Sequence, residues 1–153
     1  MLLVSLHIEQ HHFVIAAKKI IEILPLTSLK PISRAPDFIA GLLDYRGLAV
    51  PVINLCQLNN GVNYNRVLSS RIVLVNYTAN NRKMYPLGLI AEKVTETINV
   101  SKNEFQASGI SIDSTPYLGD VTRDNSDLIH YVKINELLTE QLEAMLFNES
   151  YNS

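Results

Sequence analysis

Short apolar runs broken by turn-forming residues are the feature that most restricts how this chain can fold. Near the amino terminus, apolar residues alternate with other residues over positions 2–8, which is the spacing of a half-buried strand. Further short apolar runs follow along most of the chain, separated by Gly, Pro, Asn and Asp. Such runs are typical of strands, so the sequence predicts roughly ten short strands.

Only the carboxy-terminal segment has helical spacing. Its apolar positions fall on one helix face, at Leu137, Leu138, Leu142, Met145 and Leu146. This spacing predicts an amphipathic helix over about residues 136–147, with Asn135 as its N-cap. We therefore expect a mostly β protein of packed small barrels that ends in one helix.

Residues 42–53 have a clear hairpin pattern. Two apolar runs are separated by Arg46-Gly47, and Gly47 can adopt the positive φ that closes a tight turn. Pro51 lacks a backbone donor, which predicts that the second arm lies at a sheet edge or a bulge. An arginine at a hairpin tip is usually solvated, but this one lies beside Tyr45 and between apolar arms, a setting typical of interface hot spots.

A weak internal repeat divides the sequence into two halves. Residues 17–22 (AKKIIE) align with residues 91–96 (AEKVTE). Matches this short also arise by chance, so duplication and coincidence both stay open.

Charge and cysteine content exclude several classes of partner and location. The 13 basic and 15 acidic residues give a net charge of −2 with no basic stripe, so nucleic acid is not an expected partner. The single Cys56 rules out an internal disulfide and, with no signal-peptide pattern at the start, indicates a cytoplasmic location. Every apolar run is shorter than the roughly 18–20 residues that cross a bilayer, so we expect no membrane insertion.

No set of residues has the pattern of an active site. His7, His11 and His12 could hold a metal only with a further ligand, and a polar hairpin tip is the simpler interpretation. Cys56 ends an apolar run, which favours a buried, inert thiol. We therefore expect no enzymatic activity, no cofactor and no metal. A small-ligand sensor remains an alternative, with His7, His11 or Arg46 supplying the polar contacts.

The residues around the hairpin resemble the signature of the CheW family. That signature has an Ala-Pro, then a Gly, an apolar pair, an Arg-Gly and an apolar-Pro-apolar-apolar-Asp-Leu stretch. Its counterparts here, in the same order, are Ala35-Pro36, Gly41, Leu42-Leu43, Arg46-Gly47 and residues 50–55. Asn54 stands where the family usually has Asp. Weaker matches extend the resemblance over about residues 1–140.

The resemblance implies a fold and a role. The fold is a single domain of two intertwined, five-stranded SH3-like β-barrels, here roughly residues 20–80 and residues 1–19 with 81–135. The role is a non-catalytic adaptor that couples the cytoplasmic tips of methyl-accepting chemoreceptors to the regulatory domain of a CheA-type histidine kinase. A twitching or pilus-linked chemosensory system is an alternative setting for such an adaptor.

The same resemblance implies which residues meet a partner. Carried over position by position, the candidates that face a partner or shape the interface are Ile20, Glu22, Gly41 and Arg46. Further candidates for partner binding, which core packing explains equally well, are Leu89, Ile90 and Val94. The groove between the barrels would take the receptor helix, and the apolar barrel ends would meet the kinase.

Overall fold

A computed structural model of the chain describes residues 2–8, 11–60, 70–99, 117–124 and 127–147. Within these residues the strands are β1 (Leu2–Ile8), β2 (His11–Ala16), β3 (Ile20–Pro25), β4 (Ile39–Tyr45), β5 (Leu48–Asn54), β6 (Arg71–Thr78), β7 (Met84–Ala91), β8 (Lys93–Asn99), β9 (Leu118–Asp124) and β10 (Asp127–Val132). The α-helices are α1 (Leu55–Asn60) and α2 (Glu140–Leu146). The predicted mostly β fold is confirmed.

The strands form two five-stranded sheets with equivalent topology. The first sheet has the order β8-β1-β2-β10-β9, and the second has the order β3-β6-β7-β5-β4. In each sheet a central hairpin pairs antiparallel with one flanking strand and parallel with the other. Each sheet therefore combines a hairpin from one side of residues 61–70 with three strands from the other side. The two segments of the weak sequence repeat are the places where the chain leaves one sheet for the other.

This exchange of strands changes the predicted division of the chain. We had assigned residues 81–135 to the barrel that contains the amino terminus, but β7 pairs along its length with β6 in the second sheet. The turn between β6 and β7 is short and is closed by a 2.9 Å hydrogen bond from Ala79 N to Lys83 O. A short turn keeps consecutive strands adjacent, so the crossing to the first sheet comes only after β7. Residues 61–69 and 100–116 of the predicted subdomains lie outside the described residues.

Two sets of contacts bring the outermost strands of the second sheet together. Lys30, which follows β3, exchanges two backbone hydrogen bonds of 2.9 and 2.7 Å with Leu42 of β4. In addition, the Tyr45 hydroxyl at the end of β4 donates a 2.5 Å hydrogen bond to Glu22 of β3. Because β3 and β4 are opposite edges of the sheet, these contacts close it into a small barrel.

The apolar side chains form one shared core and a separate interior for each sheet. A large cluster contains residues of both sheets, including Leu6 and Ile15 of the first and Val73 and Leu89 of the second. Val50 and Ile72 belong to a cluster formed by the second sheet alone, and a smaller cluster belongs to the first sheet. Side chains alternate across a strand, so each sheet gives one face to the shared core and one to its own interior.

The carboxy-terminal helix begins later than predicted. A 3-10 turn occupies Ile134–Glu136, and α2 begins at Glu140 with Thr139 as its N-cap. Asn135, the predicted cap, instead accepts a 3.0 Å hydrogen bond from Thr78 N. A tertiary contact thus occupies the side chain that we expected to cap the helix, and the helix starts at the next residue able to do so. No helix within the described residues combines the length and apolarity that crossing a membrane requires.

Two predictions about single residues have different outcomes. Cys56 is 1% exposed, which confirms a buried thiol. Pro51 lies in β5, between β4 and β7, so of the two predicted settings the sheet edge is wrong, whereas the β4–β5 register does shift between Ile39 and Gly41, opposite the residues that follow Pro51. The parallel pairing of β5 with β7 begins at Val52, so that ladder does not need a donor from the proline.

Candidate functional site

Glu22, Tyr45 and Arg46 form a linked set of side chains at one end of the second barrel, here called the Arg46 cluster. The Tyr45 hydroxyl donates a hydrogen bond of 2.5 Å to Glu22 Oε2, and Arg46 Nη2 lies 3.6 Å from the same oxygen. The guanidinium carbon of Arg46 lies 5.1 Å from the centre of the Tyr45 ring, within cation–π range. The structure therefore brings together two predicted partner-binding residues, Glu22 and Arg46, with a tyrosine that we had not included among them.

The turn between β4 and β5 fixes where Arg46 lies. Arg46 and Gly47 have φ angles of 51° and 85°, as both central residues of a tight hairpin turn require. Gly47 N also donates a 3.2 Å hydrogen bond to Asp44 Oδ1. The predicted positive φ at Gly47 is confirmed. The turn leaves the Arg46 side chain 76% exposed at the end of the barrel.

The shared carboxylate oxygen governs the electrostatics of the cluster. The hydrogen bond to Glu22 raises the pKa of Tyr45, and burial adds to this effect, so the phenol remains a donor at neutral pH. Arg46 is always protonated and presents several N–H donors, only one side of which faces Glu22. An exposed ion pair of this kind contributes little to stability. The chemistry that the cluster offers is therefore recognition of an anionic group.

Exposed apolar side chains lie on the same two elements as the Arg46 cluster. Ile21 and Ile23 precede and follow Glu22 in β3 and are 40% and 43% exposed. Ile23 pairs with Val73 of the shared core and Glu22 pairs with Leu74 of the barrel interior, so Ile23 lies on the opposite face of β3 from Glu22. Leu48, which pairs with Tyr45 across the hairpin, is 57% exposed. Single exposed apolar residues are ordinary, but Leu48 lies next to the tyrosine and arginine of the cluster, which is the composition of an interface hot spot, and Ile21 and Ile23 add apolar surface along β3.

Most of the other candidate residues have packing roles. Leu89 and Ile90 are 0% and 2% exposed, and they belong to the shared core and to the interior of the second barrel. Ile20 and Val94 are half-buried and pack against the shared core. Of the two roles left open for Leu89 and Ile90, burial supports core packing, because a surface contact with a partner cannot reach them.

Gly41 contributes to the site through the backbone. It has a φ of 145°, and a Cβ at this position would lie 2.6 Å from Lys30 O and 3.0 Å from Leu29 Cβ. Only glycine permits such a close approach of two chain segments. The same approach closes the second barrel and so brings Glu22 next to Tyr45. This contact between chain segments is the means by which Gly41 would shape the interface, as the family resemblance implies.

All four histidines of the chain lie in the first sheet. The rings of His7 and His12 are stacked with their centroids 4.3 Å apart, and His11 and His130 both lie near the Phe13 ring. Burial lowers the pKa of His130, and the neighbouring His11 lowers it further. In the part of the chain that the structure describes, no three His, Cys, Asp or Glu side chains come together as metal ligands. Arg46 lies on the other sheet, so the residues of the small-ligand alternative are divided between the sheets.

An open cavity of about 270 Å³ lies where the chain passes from the first sheet to the second. Its lining includes Ala16, Lys19, Val132, Lys133 and Ile134. The apolar residues offer packing surface, and the lining also carries Glu136, so charges of both signs face the cavity. Such a lining suits a partner segment that combines apolar and charged side chains.

Comparisons with known proteins agree with the fold. The model of the CheW-like domain matches residues 1–142. The chemotaxis protein CheW of Thermotoga maritima is 18% identical over 136 residues, which cover 89% of this chain and 86% of that protein. The crystal structure of the scaffolding protein TtCheW from Thermoanaerobacter tengcongensis aligns with a TM-score of 0.79 and 21% identity, over 90% of this chain and 87% of that one. From the match to the family model, the chain belongs to the CheW-like domain family.

Proposed function

We propose that this protein is a non-catalytic, cytoplasmic adaptor that couples chemoreceptors to a CheA-type histidine kinase in a bacterial chemosensory array. The observation that carries the proposal is the exposed Arg46 cluster next to Leu48 at the end of the second barrel. Membership of the CheW-like family supports it, as do relatives described as a chemotaxis protein and a scaffolding protein. The adaptor binds two partners at once and needs no chemistry of its own.

The end of the second barrel is the surface that we assign to the regulatory domain of the kinase. Leu48 can be buried against the partner beside Arg46, which can pair with a carboxylate of the partner, and Ile21 and Ile23 offer further exposed apolar surface along β3. Apolar burial provides affinity, whereas the charge pair selects the partner and its orientation. Glu22 would in turn repel a partner that presents an acidic group at the wrong position.

The cavity where the chain changes sheets is the surface that we assign to the receptor tip. A receptor tip is helical, and an amphipathic helix binds by laying apolar positions into a groove. Lys19, Lys133 and Glu136 line the cavity and would pair with charged residues of opposite sign beside those positions. Two modest interfaces on one rigid protein reinforce each other in an array, because holding one partner raises the local concentration of the other.

The chemistry of the described residues supports an adaptor over an enzyme. Cys56 is buried in the shared core, and the Arg46 cluster pairs a carboxylate with a protonated guanidinium that cannot act as a base at neutral pH. A binding surface needs this kind of exposed, charge-balanced arrangement. Proton transfer would need a group that titrates near neutrality in contact with a substrate.

Co-sedimentation with receptor signalling fragments and the cognate kinase tests the proposal. We expect a ternary complex with the wild-type chain and a loss of kinase from the pellet with Arg46→Ala, which should fold normally because Arg46 is exposed. Arg34→Ala is the matched control, since Arg34 is also exposed and has a similar φ of 62°. Failure to form a ternary complex with any cognate pair would refute the adaptor function. If the chain forms the complex only with the receptor and kinase of a pilus-linked system, that system is its setting.

A further inference from the structure

We propose that Tyr45 is a positioning residue that holds Arg46 in the orientation in which it binds a carboxylate of the partner. The proposal rests on the proposed function, because it explains how the same surface works. It assigns Tyr45 a role in recognition that acts through Arg46 and Glu22. On the partner, the group that Arg46 would bind is a single carboxylate that lies beside apolar residues.

The geometry makes both contacts of Arg46 within the cluster depend on Tyr45. The first contact is direct, because the Tyr45 ring lies under the guanidinium at 5.1 Å. The second contact is indirect. Arg46 Nη2 lies 3.6 Å from Glu22 Oε2, which is long for a hydrogen bond, and the Tyr45 hydroxyl holds that same oxygen at 2.5 Å. Glu22 is 38% exposed, so without the hydroxyl its carboxylate is free to turn towards water.

Ordering Arg46 before a partner arrives improves binding. A long exposed side chain samples many rotamers and loses this freedom when a partner immobilises it. The Tyr45 ring and the fixed carboxylate restrict those rotamers in the free protein. The guanidinium edge that faces away from Glu22 then remains available for a two-point contact with a carboxylate. Removing the hydroxyl leaves the positive charge in place but lets its direction vary.

A double-mutant cycle tests the proposal with the purified regulatory domain of the cognate kinase as the probe. We expect Tyr45→Phe to weaken binding about two- to fivefold, the size that follows from ordering part of one long side chain. In an Arg46→Ala background the same change should have no further effect. Equal weakening in both backgrounds would overturn the proposal. Tyr85→Phe is the matched control, because its hydroxyl accepts a 3.1 Å hydrogen bond from Asn81 Nδ2 on another turn.

A measurement on the free protein separates this proposal from the adaptor function. The heteronuclear NOE of the Arg46 Nε–H group should exceed that of the exposed Arg34, and Tyr45→Phe should lower it part of the way to the Arg34 value in a chain that is still folded, because the remaining ring keeps its contact with the guanidinium. An Arg46 that is as mobile as Arg34 in the wild-type chain would overturn the positioning role, even if the kinase binds. Ordered NOE values without any kinase binding would support the positioning role and refute the adaptor function.

Discussion

Replacing Gly41 with alanine should open the second barrel. Gly41 is the point at which β4 passes the segment that follows β3, and its φ of 145° lies in a region that side chains rarely adopt. The new Cβ would lie 2.6 Å from Lys30 O, a backbone atom that moves only if the chain moves. We therefore expect the two hydrogen bonds between Lys30 and Leu42 to break or lengthen.

The structure gives the expected size of this effect. Each of the two backbone hydrogen bonds has a net value of about 0.5–1.5 kcal/mol. A non-glycine residue in a glycine-only backbone region adds about 1–3 kcal/mol of strain. The loss of about 2–6 kcal/mol is a large part of the roughly 5–15 kcal/mol by which a typical domain is stable. For a chain of this size it corresponds to a fall in melting temperature of about 5–20 °C.

Urea denaturation followed by circular dichroism measures the change, with Gly47→Ala as the control. Gly47 also has a positive φ, 85°, but a Cβ there would meet nothing within 4 Å. The control should therefore show only the backbone strain, about 1–2 kcal/mol. If Gly41→Ala is no more destabilising than Gly47→Ala, the close approach of Gly41 to Lys30 does not hold the barrel closed, and the reasoning is wrong.

Two further predictions concern buried and titrating groups. Glu143 is 8% exposed and accepts hydrogen bonds from the Tyr77 hydroxyl at 2.7 Å and from Asn80 N at 3.0 Å, so Glu143→Ala, which removes both acceptors, should lose about 1–3 kcal/mol in urea denaturation. Tyr77→Phe should lose less, because the second hydrogen bond remains, and the reverse order would contradict this account. Burial holds the pKa of folded His130 below 6.5, so the unfolded chain takes up the proton first and stability falls as pH drops below 6.5. In His130→Gln the melting temperature should therefore fall less between about pH 7 and pH 5 than it does in the wild-type chain. If it falls equally in both, other groups cause the decline.

Sequence patterns predicted correctly those parts of the fold that depend on residues close together in the chain. The β4–β5 hairpin could be predicted because Arg46-Gly47 supplies the turn geometry and the apolar runs supply the arms. The start of α2 was misplaced because two residues could cap it, and the contact of Asn135 with Thr78 lies outside any local pattern. The prediction that β7 belongs to the barrel of the amino terminus was wrong for a related reason, because the sheet that a strand joins depends on long-range pairing.

The candidate site was only partly predictable. Glu22 and Arg46 were identified through the family signature, but their contact requires barrel closure to bring opposite edge strands together. Tyr45 lies 23 positions from Glu22 in the sequence, and no spacing rule joins two such residues on separate strands. A tyrosine directly before an arginine at a hairpin tip was the available cue for the cation–π contact. Burial of Leu89 and Ile90 could not be separated from partner binding by sequence, because both roles require apolar residues.

The exchange of strands between the two halves makes the two barrels depend on each other to fold. The chain up to α1 holds a hairpin whose sheet is completed by β8, β9 and β10, and the chain from β6 onward holds the hairpin that completes the sheet of β3, β4 and β5. Neither sheet can assemble from a severed half, so unfolding should be a single cooperative transition. A partner that binds one barrel therefore raises the unfolding free energy of the whole chain, including the surface that the other partner uses.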